Sequence, residues 1–232
     1  MRNHVGIVPM AVALMVALCG CNGRTATAKA AEPLRAGAAT LRPTVKIETT
    51  LGDIVLALDA ENAPGTVLNF LDYVVDGFYD GTLFHRVVPQ RVVHGGGYTP
   101  DMTEKKVGLR PTIADESYNG LKNDRWSVAM FRVPGDFNSA RSQFFINVVD
   151  NPSFDRLRDG LGYTVFGRVV DGVDTVERIR DARVGTHPKY AAEKNPVVPI
   201  DPVVVRSIRL LTPFDRAGAV ALAESAVELR RD

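Results

Sequence analysis

Hydrophobic and polar residues alternate along several short segments of the chain, which is the pattern of β-strands with one buried face. The alternation is clear at 45–49 and 54–58, and a turn containing Gly52 separates these two segments, so they predict a β-hairpin. The remaining strand-like segments lie at 82–88, 91–97, 125–133, 143–149, 163–170 and 203–211. The pattern therefore predicts eight strands.

Two segments instead carry hydrophobic residues at helical spacing. The first follows Pro64, which suits the first turn of a helix, and stops at Gly77, while the second covers about residues 173–182. Strands and helices do not alternate as they do in a parallel α/β protein. We therefore expect a mainly β fold, namely a closed eight-stranded antiparallel β-barrel capped by two α-helices.

A further helix is predicted in the C-terminal extension, residues 212–232. Thr212 is suited to be the N-cap and Pro213 the first helical residue, and alanine-rich sequence follows. Val220 and Val227 are then expected to pack against the barrel or against a partner.

The first 21 residues have the pattern of an export signal. Arg2 and His4 precede an apolar run that is shorter than the about 20 residues needed to span a membrane. The run ends in LCGC, residues 18–21, which resembles the bacterial lipoprotein processing box. The resemblance implies that Cys21 is lipidated and that the protein is exported and anchored to a bacterial membrane, its folded domain facing the periplasm or the cell exterior. An ordinary secretory signal with two chance cysteines is the alternative.

Residues 22–43 are small, polar and aperiodic, which predicts a flexible tether before a folded domain at 44–211. That domain has no cysteine, because Cys19 and Cys21 are the only two in the chain, so no internal disulfide is expected. The net charge of +1 shows no basic excess and argues against nucleic-acid binding. We expect a monomer.

Three separated motifs occur in order within this domain. They are FHRVVP followed by GGG (84–97), SARSQFFINV (139–148) and GYTVFGRVVDGVD (162–174). Together they resemble the cyclophilin peptidyl-prolyl isomerases, especially the bacterial periplasmic type. The resemblance covers about residues 45–211. It implies the same barrel fold, isomerisation of X-Pro bonds in unfolded or extended exported polypeptides, and no cofactor.

The resemblance also implies roles for individual residues. Arg86 matches the catalytic arginine, Phe145 the floor of the proline pocket, and Gln143 the glutamine that holds the arginine and the substrate. For the phenylalanines alone, a plain buried strand is the alternative. The other predicted substrate contacts are Arg91, Val92, His94, Ala129, Met130, Phe144, Phe154 and Tyr163.

The chain departs from the family pattern beside the predicted catalytic arginine. Where the family usually has phenylalanine, methionine and glutamine, this chain has Arg91, Val92 and His94. Arg91, together with His94 once it is protonated in mild acid, would add positive charge next to Arg86, so we expect a preference for acidic residues near the proline. The lost phenyl ring leaves an alternative function open, a protein of the same fold that binds proline-containing segments with weak or no turnover.

Other chemistries fit the sequence less well. His85, His94 and His187 lack the HExxH spacing of a zinc site, so no metal site is expected. Strand alternation also predicts that His85 points away from Arg86. The glycines at 95–97 lack the GK[ST] ending and the following helix of a phosphate loop, and a tight turn accounts for them.

Overall fold

The polypeptide folds around one curved antiparallel sheet. The computed structural model describes residues 1, 38–155, 162–190 and 195–228. The strands are β1 (Thr44–Thr49), β2 (Gly52–Leu58), β3 (Arg86–Val88), β4 (Val92–Gly95), β5 (Ser127–Met130), β6 (Phe144–Asn147), β7 (Val165–Asp171), β8 (Val184–Gly185), β9 (Val198–Pro199) and β10 (Val205–Leu210). The helices are α1 (Pro64–Val75), α2 (Val173–Arg180) and α3 (Arg216–Glu228), and a short 3-10 helix covers Pro152–Phe154.

Eight of the strands form the main sheet in the order β10-β1-β2-β7-β5-β6-β4-β3. Neighbouring strands are antiparallel throughout. The predicted mainly β fold with eight antiparallel strands is confirmed. The sequence did not predict β8 and β9, which are two residues long and pair with each other outside the main sheet.

The main sheet curls into a half-barrel, so the expected closed barrel is wrong. β3 and β10 stand at the two ends of the strand order, and no ladder joins them within the described part of the chain. The segments that precede them meet at a bridge between Leu83 and Val204. Val87 of β3 instead donates its N–H to the carbonyl oxygen of Val197 at 2.7 Å. The open edge of β3 therefore bonds to the chain just before β9.

Helix α1 joins the sheet through an aromatic core. The ring of Phe70 lies 5.6 Å from that of Phe144 on β6, 5.2 Å from that of Phe166 on β7, and 5.2 Å from that of Tyr79. All four side chains are fully buried. Since burying one such side chain contributes about 1.5–3 kcal/mol, this cluster fixes the helix against the strands that carry the motifs.

The start of α1 is held by a residue from a distant loop. Ala63 occupies the N-cap position and makes no side-chain cap hydrogen bond. The Glu116 carboxylate instead accepts the N–H groups of Gly65 at 3.0 Å and Thr66 at 2.8 Å, and the Thr66 hydroxyl at 2.7 Å. The Glu116 N–H donates to the Thr164 hydroxyl at 3.1 Å. Glu116 therefore connects α1 to the residue just before β7.

The C-terminal extension forms a helix, α3, but its expected start is wrong. The Thr212 hydroxyl accepts the N–H of Thr44 at 2.9 Å and so fixes the strand end instead of capping a helix. Asp215 serves as the N-cap, because its carboxylate accepts the N–H of Gly218 at 2.9 Å. The helix consequently begins at Arg216.

Helix α3 packs on the domain through α1. Arg216 donates to the carboxylate of Asp72 at 2.6 Å, and Ala219 is fully buried. Val220 itself is 36% exposed, so the expected contact with the domain is made by its neighbour Ala219, and packing of Val220 against a partner stays a prediction. The side chain of Val227 lies outside the described residues.

Cys21, the predicted export signal after Met1 and most of the predicted tether lie outside the described residues. Thr40 donates its N–H to the Pro213 carbonyl at 3.2 Å, and Leu58 donates its N–H to the Pro43 carbonyl at 2.8 Å. The last residues of the predicted tether are therefore bonded to the folded domain. Of the helices that the structure describes, none is both long and apolar enough to cross a membrane.

Candidate active site

A row of side chains crosses five strands of the main sheet. Residues paired in turn across neighbouring strands are Arg86 (β3), His94 (β4), Phe145 (β6), Ala129 (β5) and Val165 (β7). Paired residues point to the same face of a sheet, so these side chains share one face. The fold thus brings together Arg86, His94, Phe145 and Ala129, all of which were predicted as site residues. Two strand spacings, about 10 Å, separate the backbones of Arg86 and Phe145.

Phe145 forms the floor of an aromatic recess on this face. Its ring centroid lies 5.6 Å from that of Phe154 and 5.3 Å from that of Tyr163, both edge-on, and the latter two are 5.0 Å apart. Val92 and Ala129 belong to the same buried cluster. The predicted residues Phe145, Phe154 and Tyr163 therefore build one apolar surface, as the ring of a bound proline requires.

Arg91 lies next to this recess. Its guanidinium carbon lies 4.6 Å from the ring centroid of Phe154, and Nη2 donates to the hydroxyl of Ser153 at 3.3 Å. Arg91 remains exposed at the turn before β4. Its cation therefore contacts the ring of Phe154, one of the rings of the recess.

His94 belongs to the buried floor of the site and not to its charged rim. It is 2% exposed, and its ring lies 4.5 Å from that of Phe131 and 4.6 Å from that of His85. Burial lowers the pKa of His94 well below its usual value, and the charges of His85 and Arg86 lower it further. The expected positive charge of His94 in mild acid is therefore wrong, because the site excludes the water that would solvate it.

The predicted orientation of His85 is also wrong. His85 precedes β3 and is not part of it, so strand alternation does not govern its direction. Its ring contacts that of His94, which shares a face with Arg86. Burial lowers the pKa of His85 to about 3, so this imidazole is neutral at physiological pH.

Comparison with known proteins identifies the family of the chain. Residues 44–208 match the family described as cyclophilin type peptidyl-prolyl cis-trans isomerase/CLD. The chain belongs to this family. Peptidyl-prolyl cis-trans isomerase cyp18 of Streptomyces antibioticus is 46% identical to this cyclophilin over 171 residues, which are 72% of this chain and 98% of the relative. Peptidyl-prolyl cis-trans isomerase B of Escherichia coli (strain K12) is 41% identical over 167 residues, 71% of this chain and 97% of the relative.

A solved structure agrees with these sequence matches. It is a cyclophilin type peptidyl-prolyl cis-trans isomerase of Cryptosporidium parvum in the presence of the dipeptide Ala-Pro, with a TM-score of 0.60 and 26% identity. The match covers 73% of this chain and 99% of that structure. The predicted cyclophilin fold family and isomerase activity are confirmed by the family match and by the relatives.

Two predicted contacts of this cyclophilin lie away from the recess. Met130 and Phe144 pair with each other across β5 and β6 and belong to the main core, where they are 1% and 0% exposed. Each is one residue away from a member of the row, so its side chain points to the opposite face. The Phe144 side chain therefore does not face the recess. For Met130 the predicted contact is through the backbone, whose N–H is donated to the Thr164 carbonyl at 2.9 Å, and a substrate contact through the rest of this backbone stays a prediction.

Gln143 lies where the chain after β4 passes very close. Gly96 has a φ of +82°, in the left-handed region that favours glycine, which agrees with the predicted tight turn. A Cβ added to Gly97 would lie 2.5 Å from both Cγ and Cδ of Gln143, so glycine at this position leaves room for the Gln143 side chain. Gln143 and Phe131 also line an adjoining cavity of about 330 Å³.

Phe131 is a member of the site that was not predicted. Its ring lies 4.5 Å from that of His94 and is stacked on that of Tyr163 at 6.5 Å. Phe131 follows Ala129 by two residues within the predicted strand 125–133, so alternation along that predicted strand was a signal that could have found it. In this cyclophilin an additional ring thus stands beside the recess, although the phenyl ring expected at position 91 is missing.

An asparagine network holds Phe154 in place and was also missed. Asn123 donates to the Phe154 carbonyl at 3.0 Å, and Asn147 donates to the Asn123 side-chain oxygen at 3.2 Å. Asn151 donates to the Asn147 side-chain oxygen at 2.7 Å and to the Arg91 carbonyl at 3.0 Å. These bonds link the 3-10 helix that carries Phe154 to β6, which carries Asn147, and to the turn that carries Arg91.

The site places the cation of Arg86 on the same sheet face as an apolar recess with a buried floor. In the described ranges no three histidine, cysteine, aspartate or glutamate side chains are grouped so that they could hold a metal ion. Rotation about a peptidyl-prolyl bond breaks no covalent bond, because the barrier of about 18–20 kcal/mol is loss of amide resonance. A hydrogen-bond donor placed at the prolyl nitrogen is therefore sufficient chemistry for this site.

Proposed function

We propose that Arg86 is the catalytic residue of this isomerase and that Phe145, Phe154 and Tyr163 seat the proline ring. The row that joins Arg86 to Phe145 across the sheet is the observation that supports this assignment. When the bond twists, the lone pair of the prolyl nitrogen is no longer shared with the carbonyl and can accept a hydrogen bond. A guanidinium that donates to it stabilises the twisted state more than either planar state, and that difference lowers the barrier.

Gln143 acts as the positioning residue beside this donor. Gln143 is half-buried and lies directly before β6, two residues before Phe145. Its side chain lies close to the backbone of Gly97. An amide at this position offers both a donor and an acceptor, so it can bond to the substrate backbone and to a neighbouring side chain. The proline ring and the peptide backbone would then be held on either side of the rotating bond.

The substrates are extended or unfolded polypeptides that contain proline. Phe145 at the floor of the recess is buried, whereas Phe154 and Tyr163 are partly exposed, so an extended chain segment can contact the recess without adopting a particular fold. The solved relative from Cryptosporidium parvum was obtained in the presence of Ala-Pro, which supports a proline-containing peptide as the ligand of this chain too. We propose that the clients are exported proteins, whose X-Pro bonds populate both isomers and interconvert slowly.

The proposed location is a bacterial membrane, to which a lipid anchors the protein with its catalytic domain facing the periplasm or the cell exterior. It is supported by the apolar run that ends in LCGC and by the absence of cysteines after Cys21. Mass spectrometry of membrane-extracted protein is the test, with Cys21→Ala as the matched variant. We expect an acylated N-terminus at Cys21, whereas an unmodified N-terminus at another residue would contradict the anchor.

The catalytic assignment is tested by exchange kinetics. Cis–trans exchange of a neutral X-Pro peptide is measured by NMR for the wild type, for Arg86→Ala and for the exposed control Arg206→Ala on β10. Loss of one preorganised donor should lower kcat/KM about 100-fold or more, while the control stays at the wild-type value. Equal kcat/KM for wild type and Arg86→Ala would refute the role of Arg86. Binding without acceleration by the wild type would favour the alternative function as a proline-segment binder.

A further inference from the structure

Arg91 carries a permanent charge next to the recess. Its guanidinium is stacked on Phe154 at 4.6 Å and donates to Ser153 at 3.3 Å, so the cation is held in one place by two contacts. The guanidinium of arginine has five N–H donors, so a contact of this kind leaves further N–H groups free to bind a ligand. A pre-positioned guanidinium loses little conformational entropy when it binds a carboxylate.

The nearby acidic groups are engaged elsewhere. Asp155, which follows Phe154, accepts the N–H of Asn123 at 2.7 Å and lies 3.7 Å from the Lys122 ammonium. Asp150 accepts the N–H of Arg125 at 2.8 Å. Within the described ranges Arg91 makes no ion pair, and its charge is therefore available to a ligand.

The other basic groups around the recess differ from Arg91. His94 and His85 are buried and neutral, for the reasons given above. Arg132 is 5% exposed, and its guanidinium lies between the rings of Tyr163 at 4.8 Å and Phe137 at 4.9 Å. Among these groups Arg91 is thus the one that a bound peptide meets directly at the rim.

We propose that Arg91 is a specificity-determining residue that selects prolyl peptides with an acidic residue close to the proline, a proposal that rests on the proposed catalytic site. A carboxylate next to the proline can approach the free edge of the guanidinium and form a charge-assisted hydrogen bond. A lysine or arginine at the same place is repelled. Phe154 links the two functions, because its ring contacts both Phe145 and Tyr163 of the proline seat and the Arg91 cation.

The test compares three peptides that differ in one residue beside the proline, which is glutamate, glutamine or lysine. For exposed charges we expect kcat/KM for the glutamate peptide to exceed that for the lysine peptide about three- to ten-fold at low ionic strength. The ratio should fall toward one as salt rises, since screening acts beyond about 10 Å at 0.1 M salt and more closely at higher salt. Arg91→Gln should bring the ratio near one, Arg91→Lys should retain most of it, and Arg206→Gln should leave it unchanged.

The outcomes separate this inference from the proposed function. If the wild type accelerates none of the three peptides, the proposed function fails. If the wild type accelerates all of them but the glutamate-to-lysine ratio is equal in wild type and Arg91→Gln, the inference is overturned, even where Arg91→Gln slows all three peptides equally. That last pattern would mean that Arg91 only packs against Phe154.

Discussion

The contact between Glu116 and the start of α1 leads to a quantitative prediction for stability. Glu116 is 5% exposed, and its carboxylate accepts hydrogen bonds from two N–H groups and one hydroxyl at 2.7–3.0 Å. Hydrogen bonds to charged groups contribute about 1.5–3 kcal/mol, but the groups released in Glu116→Ala regain some water because they lie at a helix end. We therefore expect Glu116→Ala to lower the free energy of unfolding by about 2–3 kcal/mol.

Glu116→Gln separates charge from shape. The glutamine amide can still accept one bond, but its NH₂ group faces helix N–H donors and loses the favourable interaction of an anion with the helix N-terminus. We expect about 1–2 kcal/mol of destabilisation for this variant. The matched control is Glu224→Ala, which removes an exposed glutamate from α3. It should change stability by less than about 0.5 kcal/mol.

Urea unfolding followed by circular dichroism measures these differences, and thermal unfolding checks them. In a domain of this size, about 2–3 kcal/mol corresponds to a fall in Tm of about 4–12 °C. The reasoning is refuted if Glu116→Ala and Glu224→Ala unfold at the same urea concentration with the same slope. A Glu116→Gln variant as stable as the wild type would instead refute the role given to the charge, because this variant keeps the shape of the side chain and loses only its charge.

The two remaining predictions concern the glycine loop and the buried histidines. Gly97→Ala should displace Gln143 and lower kcat/KM, and it should also lower stability because Cγ and Cδ of the half-buried Gln143 must move. Unchanged kcat/KM would contradict the role of Gln143. In the unfolded chain His85 takes up a proton below about pH 6.5, whereas in the native protein its pKa is about 3 and it stays neutral. The free energy of unfolding therefore falls as the pH decreases, and His85 should account for about 2 kcal/mol of this fall at pH 5. Urea unfolding at pH 7 and pH 5 should show a smaller fall for His85→Gln than for wild type or the control His187→Gln.

The strands of the sheet could be predicted because each depends on local alternation. Segments such as 45–49 and 54–58 carry their own pattern, and the structure places β1 and β2 there. Closure of the barrel could not be predicted in this way. It depends on which group bonds to the free edge of β3, and the bond from Val87 to Val197 spans more than a hundred residues.

The site residues that belong to a recognisable motif could be predicted from the sequence. The roles of residues that depend on how deeply the side chain is buried could not. Arg86 and Phe145 were found from their motifs, and the sheet register brings them onto one face. A histidine in a charged stretch looks like a surface residue, yet His94 is buried by Phe131 and His85, which lie elsewhere in the sequence. The same limit applies to Phe144, because a one-residue difference in register moves a side chain to the core face.

Where this chain departs from the family pattern at position 91, an arginine takes the place of the phenyl ring that usually contacts the recess. The position that usually carries a phenyl ring holds Arg91, but its guanidinium lies 4.6 Å from the ring centroid of Phe154, which the asparagine network anchors. Because the buried histidines stay neutral, the charge of the rim comes from arginine, which remains protonated across the physiological range. We therefore expect mild acid to affect this protein mainly by unfolding it, because His85 and His94 can accept protons only in the unfolded state. A loss of activity in mild acid should accordingly follow the loss of folded protein and not precede it.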